Sequence, residues 1–337
     1  MKSPIEIFFA SDTNYLPYLA CAITSLSDHA SPRLIYNIHI LTTDFDDGSL
    51  GEVKKLIRNN ITVTVHDLTE RISEIKRELS VRLRDYYSDS IYYRIFIPKM
   101  FQSLKRAVYL DADLILTDDV AKLYNKNLGC DLVGAVTDES VVDVPVFCDY
   151  VKKQIGLTDE RDYFNSGVLV MNLEAMREER IEEKFLYLLK TYNYDTVAPD
   201  QDYLNFFCRG RVTYLESGWN KHPIPENPLQ ESELHLMHFN MFNKPWRYDN
   251  VQNGELFWQT ARRTPFYDTL IRQRAAYTDE ARKRDLEGAK RLLMSAKRIA
   301  DGGIYICDSE RRANKRSIAK SYSLPRAKAI AGSKIFR

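Results

Sequence analysis

Glycine is scarce, 13 of 337 residues, and none of it is arranged as G-x-G-x-x-G or G-x-x-x-x-G-K-[ST]. The two common glycine-loop nucleotide sites are therefore excluded. The five cysteines (Cys21, Cys130, Cys148, Cys208 and Cys307) are scattered, odd in number and without C-x-x-C spacing. That is the pattern of a reduced, cytosolic chain, not of a disulfide or zinc framework. No stretch approaches the ~18 apolar residues of a membrane span. The chain opens with only a short apolar run, Ile5 to Ala10, before Ser11 and Asp12, too short for a secretory signal. A cytoplasmic location is expected. An apolar share of 44% is ample for a buried core, which rules out a disordered chain.

Net charge is also nearly absent, with 48 basic against 47 acidic side chains, but the balance is uneven along the chain. Residues 282–337 hold 16 Lys/Arg against 5 Asp/Glu, which leaves about −10 for the rest. An acidic body carries a basic tail. The body alternates strand-like and helix-like segments: Ile5–Ala10, helical Tyr15–Ser27, Leu34–Leu41, helical Leu50–Arg58 and Ile61–Val65. Such order predicts a mainly parallel sheet covered on both faces. Ala107–Leu110, Leu132–Val136 and Gly167–Leu173 are further strand candidates, and Glu178–Tyr192 reads as a helix. Residues 220–250, with four prolines and a histidine-rich stretch, read as a loop folded back over the body. The expectation is one α/β domain over 1–260 and a basic helical extension over 261–337.

The segment Ala107–Leu116 reads AVYLDADLIL, and its two polar residues are Asp111 and Asp113. A strand running through both would put the carboxylates on one face; a strand stopping at Leu110 would leave them capping a turn. Ionised carboxylates in so apolar a run are costly unless a cation or donors compensate. A divalent-metal site at the carboxyl end of a strand is the functional reading. His238, in HLMHFNMFNKPW, is a candidate third ligand, because imidazole with carboxylates suits Mn²⁺ better than Ca²⁺. Lys244 lies six residues on and can serve as a point charge for phosphate. His235 is assigned a structural role.

Five segments occur in order: ASDTNY (Ala10–Tyr15), YLDAD (Tyr109–Asp113), FNSGVLVMNL (Phe164–Leu173), PDQDYLN (Pro199–Asn205) and HFNMFNKPW (His238–Trp246). Together they resemble retaining glycosyltransferase family 8, which includes bacterial lipopolysaccharide galactosyl- and glucosyltransferases and the glycogenins. The resemblance covers about residues 5–247. It implies a GT-A fold, Rossmann-like with a mainly parallel sheet between helices, that binds UDP-galactose or UDP-glucose through Mn²⁺, with Mg²⁺ as a substitute. Asp111, Asp113 and His238 match the metal ligands. Asp12 and Asn14, flanked by Ala10 and Tyr15, match the uracil and ribose side. Lys244 matches a lysine on the pyrophosphate, Ala112 lies between the two aspartates, and Arg94 matches an arginine near the donor sugar. Asp138, Asn165, Asp200 and Gln201 match positions around the reacting centre. The sequence departs from the family at Met241, where members often carry glycine, and in Ser140–Tyr163, which is somewhat long.

The implied reaction suits these residue types. Charge gathering on the departing UDP is met by a metal and Lys244, and the oxocarbenium-like sugar by Asp200 and the Gln201 carbonyl. Front-face attack, with the leaving phosphate taking the acceptor's proton, is favoured over double displacement. In the extension, Lys283, Lys290 and Lys297 alternate with Arg284, Arg291 and Arg298 along one helical face, opposite Leu286, Ala289, Leu292, Leu293, Ala296, Ile299 and Ala300. That pattern reads either as an anchor on an anionic inner membrane surface or as a helix packed on the body. Nucleic-acid binding is not expected of an acidic body without a base-reading module. The expectation is a retaining hexosyltransferase acting on a glycan or lipid-linked glycan acceptor, such as a lipopolysaccharide or surface-polysaccharide precursor. The alternatives are a glycogenin-like self-glucosylating protein and a non-catalytic UDP-sugar-binding protein.

Overall fold

The computed structural model describes residues 3–79, 89–225 and 228–309. The basic positions Arg311, Arg312, Lys315, Arg316, Lys320, Arg326 and Lys328 lie outside the described residues. The chain begins as an α/β alternation: β1 (Ile5–Ala10), α1 (Leu16–His29), β2 (Tyr36–Thr42), α2 (Asp47–Lys54), β3 (Ile61–Asp67), α3 (Thr69–Leu79). It continues through α4 (Tyr93–Met100), β4 (Arg106–Leu110), β5 (Leu114–Leu116), α5 (Val120–Tyr124), β6 (Val133–Thr137) and α6 (Pro145–Gln154). Then come β7 (Phe164–Asn172), α7 (Leu173–Glu178), α8 (Ile181–Thr191), α9 (Pro199–Cys208), β8 (Val212–Tyr214) and β9 (Leu236–His238). Helices α10 (Gly254–Ala261), α11 (Tyr267–Ala275) and α12 (Asp279–Asp301) close the described chain.

Seven strands form one sheet in the order β3-β2-β1-β4-β7-β6-β8. The expectation of a mainly parallel sheet holds for β3-β2-β1-β4 and for β6 with β8, whereas β7 runs antiparallel to both its neighbours. The exception matters for the site. With Leu110 opposite Val168, the first residues of β7 stand beside the chain just beyond the carboxyl end of β4. Parallel central strands are covered on both faces and so are apolar throughout, as Ile7, Phe8 and Phe9 of β1 are, all fully buried.

Helix α1 explains the second layer. Pro17 presets its first turn, and every residue from Leu16 to Ser27 is buried, because it lies between the main sheet and a small antiparallel pair of β5 with β9. Ser25 Oγ of α1 accepts from the Leu116 N–H of β5 at 3.0 Å, tying the pair to the helix. Over this layer Tyr18, Trp246, Phe257, Ala261 and Leu270 form a separate apolar cluster, so α10 and α11 pack on the body.

Of the two paths the sequence left open between the aspartates, the structure takes the second. The strand does not run through Asp111 and Asp113: β4 stops at Leu110, the chain turns, and β5 starts at Leu114 in the other sheet. The two aspartates therefore occupy the jump between sheets. The helix expected over Glu178–Tyr192 is α8, which begins at Ile181 because Arg180, at φ 54, separates it from α7. In α12, Ala296, Ile299 and Ala300 are buried against the body, α6 included, while Leu286 and Leu293 of the expected apolar face are exposed.

Candidate active site

The site begins with Asp111, Asp113 and His238, whose ligating atoms all lie within 4.8 Å of one another. Two elements supply it: the turn between β4 and β5, which carries both aspartates, and the last residue of β9. Pairing of β5 with β9 sets Leu114 opposite His238, so a histidine 125 residues away in sequence meets the aspartates. His238 Nε2 stands 3.2 Å from Asp113 Oδ1 and 3.7 Å from Asp111 Oδ2.

A relay of amides fixes the imidazole tautomer. Asn165 Nδ2 donates to Asp138 Oδ2 at 3.1 Å, which turns the Asn165 oxygen to accept from Asn220 Nδ2 at 2.9 Å. The Asn220 oxygen is then left facing His238 Nδ1 at 2.8 Å and accepts from it. With the proton on Nδ1, Nε2 presents a lone pair towards two carboxylates. Three electron-pair donors facing one another repel unless a cation lies among them, so these residues fit a divalent metal. Gly167 keeps the space open: a Cβ there would come within 2.3 Å of His238 Cε1 and 2.6 Å of Asp111 Oδ2.

Two buried cations offset the acidic charge. Lys244 Nζ donates to Asp113 and, at 2.7 Å, to the Phe239 carbonyl. Burial alone would raise the Asp113 carboxyl, but the Lys244 ammonium beside it holds it well below the usual carboxylate range. Arg94 is 4% exposed and not on a helix surface. Its guanidinium donates to Asp111 Oδ1 at 2.9 Å and to the Ser166 carbonyl at 2.6 Å, lies 3.3 Å from Asp200 Oδ2, and covers the Tyr109 ring.

Beyond Asp111, Asp113 and His238, Asp138 accepts from Gln201 Nε2 at 2.8 Å, from Asn165 Nδ2 and from Ser140. Burial pushes its carboxyl up, but nearby His222 and those donors bring it below its ordinary value. Asp200 moves the other way: burial raises it, with Asp111 adding to the rise against Arg94. The Gln201 oxygen accepts from the Ser166 N–H at 2.9 Å and is not free. Asp138, Asn165, Asp200 and Gln201 all line a pocket of about 270 Å³, together with Asp111, Asp113 and His238. A second cleft, of about 510 Å³, meets it at Arg94 and the aspartates and is lined by Ala10, Asp12, Tyr15, Ala112 and Lys244. Asp12 also caps the short turn after β1 by accepting from the Tyr15 N–H. Asn14 is exposed and does not line this cleft. His235 stacks on Trp219 and pairs with Asp118, a structural role as expected.

The model of glycosyl transferase family 8 matches residues 6–250. The chain belongs to this family. Its enzyme class, a glycosyltransferase, and its GT-A fold agree with the ordered motifs of the sequence. Among curated relatives, a putative glycosyltransferase of Haemophilus influenzae is 28% identical over 232 residues, covering 68% of this chain and 67% of that protein. The lipopolysaccharide 1,2-glucosyltransferase of Escherichia coli is 25% identical, covering 72% of each chain. A crystal structure of LgtC superposes with a TM-score of 0.64 at 24% identity, covering 77% of this chain and 96% of LgtC.

Several residues of this family 8 enzyme that shape the site carry no local sequence signal. Asn220 and His222 sit in a proline-rich stretch, and only the fold brings them beside Asp138 and His238. Met241 keeps a left-handed backbone, φ 55, which costs a non-glycine residue roughly 1–2 kcal/mol. Asp202, in the first turn of α9, is fully buried, and its carboxylate accepts from Tyr150 at 2.5 Å, Tyr163 at 2.7 Å and the Val197 and Ala198 N–H groups. It thereby fixes the first turn that carries Asp200 and Gln201.

Gly167→Ala is expected to leave the fold intact but to weaken divalent-metal binding at least about tenfold, since the methyl occupies the space between His238 and Asp111. Isothermal calorimetry with Mn²⁺ checks this, and parent-like affinity contradicts it. Burial pushes the Asp202 carboxyl up to about 6, so its ionisation costs stability as pH rises through that value, and the tyrosine donors limit the cost. Tyr163→Phe removes one donor and should destabilise by about 1–3 kcal/mol at pH 8, with a smaller loss at pH 5. Urea unfolding at both pH values tests it; equal losses would refute it.

Proposed function

We propose that the enzyme transfers galactose or glucose, with retention, from a UDP-sugar to a hydroxyl of a glycan acceptor of the lipopolysaccharide or surface-polysaccharide type. The observation that carries this reading is the convergence of three lone-pair donors with a buried lysine at the junction of two cavities. One cavity is large enough for a nucleoside, and the other is of sugar size. The mixed nitrogen and oxygen set favours Mn²⁺, with Mg²⁺ as a substitute. A cation held by Asp111, Asp113 and His238 supplies Lewis-acid stabilisation of the diphosphate charge.

The protein's own groups take the remaining roles. The cleft beside Ala10, Asp12 and Tyr15 receives uridine. Lys244, paired with Asp113 in the free enzyme, turns its ammonium to the β-phosphate as negative charge grows there. Arg94 spans Asp111 and Asp200 and so joins the diphosphate side of the site to the sugar side. Asp138 and Asn165 accept and donate to sugar hydroxyls. Asp200, which lines the smaller pocket beside Arg94, supplies a negative charge that stabilises the oxocarbenium-like sugar. Gln201, with its oxygen held by the Ser166 N–H and its amide by Asp138, is a fixed dipole and not a nucleophile. Front-face attack is therefore favoured, the departing phosphate oxygen taking the acceptor proton.

We also propose that α12 rests on an anionic membrane surface. Exposed Leu286, Leu293 and Met294 alternate along it with Lys283, Lys290 and Lys297, a mixed apolar and basic face. Among the described residues no helix is long and apolar enough to cross a membrane.

UDP release from UDP-galactose and from UDP-glucose, each with Mn²⁺ and then with EDTA, tests the transfer reading. One donor should give a metal-dependent signal that falls at least about 100-fold in Asp113→Asn. A signal that survives both EDTA and the substitution would refute the assignment. For the surface, sedimentation with phosphatidylglycerol vesicles should retain the full chain, and Lys283, Lys290 and Lys297 replaced together by Glu should release it. Indifference to the triple replacement would sink the anchoring role of α12.

A further inference from the structure

Met241 lies where three cavities meet. It borders the cleft assigned to uridine with Lys244, the reaction pocket with Asp200, and an outer pocket of about 500 Å³ walled by Phe242, Tyr248 and Ala289 of α12. Its side chain is 49% exposed, one of the large apolar groups that the fold leaves uncovered. It keeps this position in a strained left-handed conformation that a glycine would adopt freely.

The backbone around it has little freedom to relax. On one side the Phe239 N–H donates to the Asp113 carbonyl at 2.9 Å, and on the other the Lys244 N–H donates to the Phe242 carbonyl at 2.8 Å. The Phe242 ring rests on Gly288, where an added Cβ would approach Phe242 Cε1 to 3.1 Å. Glycine in mid-helix weakens α12, and here it admits that ring. The loop is thus held between the aspartate turn and α12, with the Met241 side chain left half exposed between them. An unbranched thioether of this kind can fill an opening and be pushed aside.

We propose that Met241 is the barrier between the donor and acceptor sides of the site. It excludes water from the sugar's anomeric carbon until an acceptor entering from the outer pocket displaces it, and so sets the ratio of transfer to hydrolysis. In the side reaction that it suppresses, the oxygen of water bonds to the anomeric carbon as the bond from that carbon to the β-phosphate oxygen breaks. The electron pair leaves with UDP, a proton of the water passes to the phosphate oxygen, and free hexose and UDP result. The proposal rests on the UDP-sugar reading of the site.

The test needs no acceptor. The full chain and its Met241→Gly, Met241→Ala and Met241→Leu variants are incubated with Mn²⁺ and UDP-galactose or UDP-glucose, and free hexose is measured. UDP affinity with Mn²⁺ is followed by calorimetry and folding by thermal melting. The Gly and Ala variants should hydrolyse donor at least about tenfold faster than the parent, and the Leu variant within about twofold of it. All should bind UDP within about threefold of the parent and melt no earlier. Hydrolysis at the parent rate in Met241→Gly, or equal acceleration in Met241→Leu, overturns the barrier. Failure of the parent to bind UDP with Mn²⁺ overturns the donor reading itself and the barrier with it, and the calorimetry shows this before any hydrolysis is measured.

Discussion

The direction of one hydrogen bond, from His238 Nδ1 to Asn220, orders the centre of this molecule. It decides that Nε2 faces Asp111 and Asp113 as a lone pair and not as a donor, and so whether the cluster is a metal site or a closed ion-pair network. The bond has that direction because the Asn220 amide is itself oriented by Asn165, and Asn165 by the charged carboxylate of Asp138. Asp138 is thus joined through two amides to the orientation of His238. Arg94 and Lys244 keep the same region from accumulating unpaired negative charge, each being buried and held by a carboxylate and a carbonyl.

The order of strands around the site accounts for what the sequence made legible. Asp111 and Asp113 stand out because charged residues in an apolar run demand an explanation, and His238 and Lys244 because they lie in one short segment. The fold class followed from βα alternation in the first 65 residues. What pattern alone left open was the path of the chain between the two aspartates, since a strand continuing and a strand stopping give the same apolar periodicity. The choice is made by β9, a three-residue strand far along the chain that captures Leu114–Leu116 into its own sheet. Antiparallel pairing of β7 was equally invisible, because its residues are apolar in either direction.

The residues that escaped notice share one property: their importance lies in contacts across long stretches of chain. Asn220 and His222 look like loop residues among prolines, and Asp202 looks like one more acid in an acidic first turn. Only with α9 laid across α6 and β7 does Asp202 meet two tyrosine hydroxyls, and only then is its burial tolerable. The two readings of α12 divided along the helix. Its last turns, Ala296 to Ala300, pack on the body, while Leu286, Leu293 and Met294 stay uncovered, so neither packing nor surface exposure describes the whole element.

The contact of Phe242 with Gly288 has a consequence for how such enzymes can be recombined. Helix α12 lies beyond the segment matched by the family, residues 6–250, and would ordinarily be regarded as an exchangeable appendage. Yet its glycine accommodates the Phe242 ring of the 239–248 loop, and its Asp285 receives Tyr248 and Arg247 from the end of that loop. A chimera that joins this catalytic body to another relative's C-terminal helix would leave a cavity or a collision at that ring. The 239–248 loop and α12 pack as one unit, so an exchange of the helix must carry its partner residues Phe242, Arg247 and Tyr248 with it.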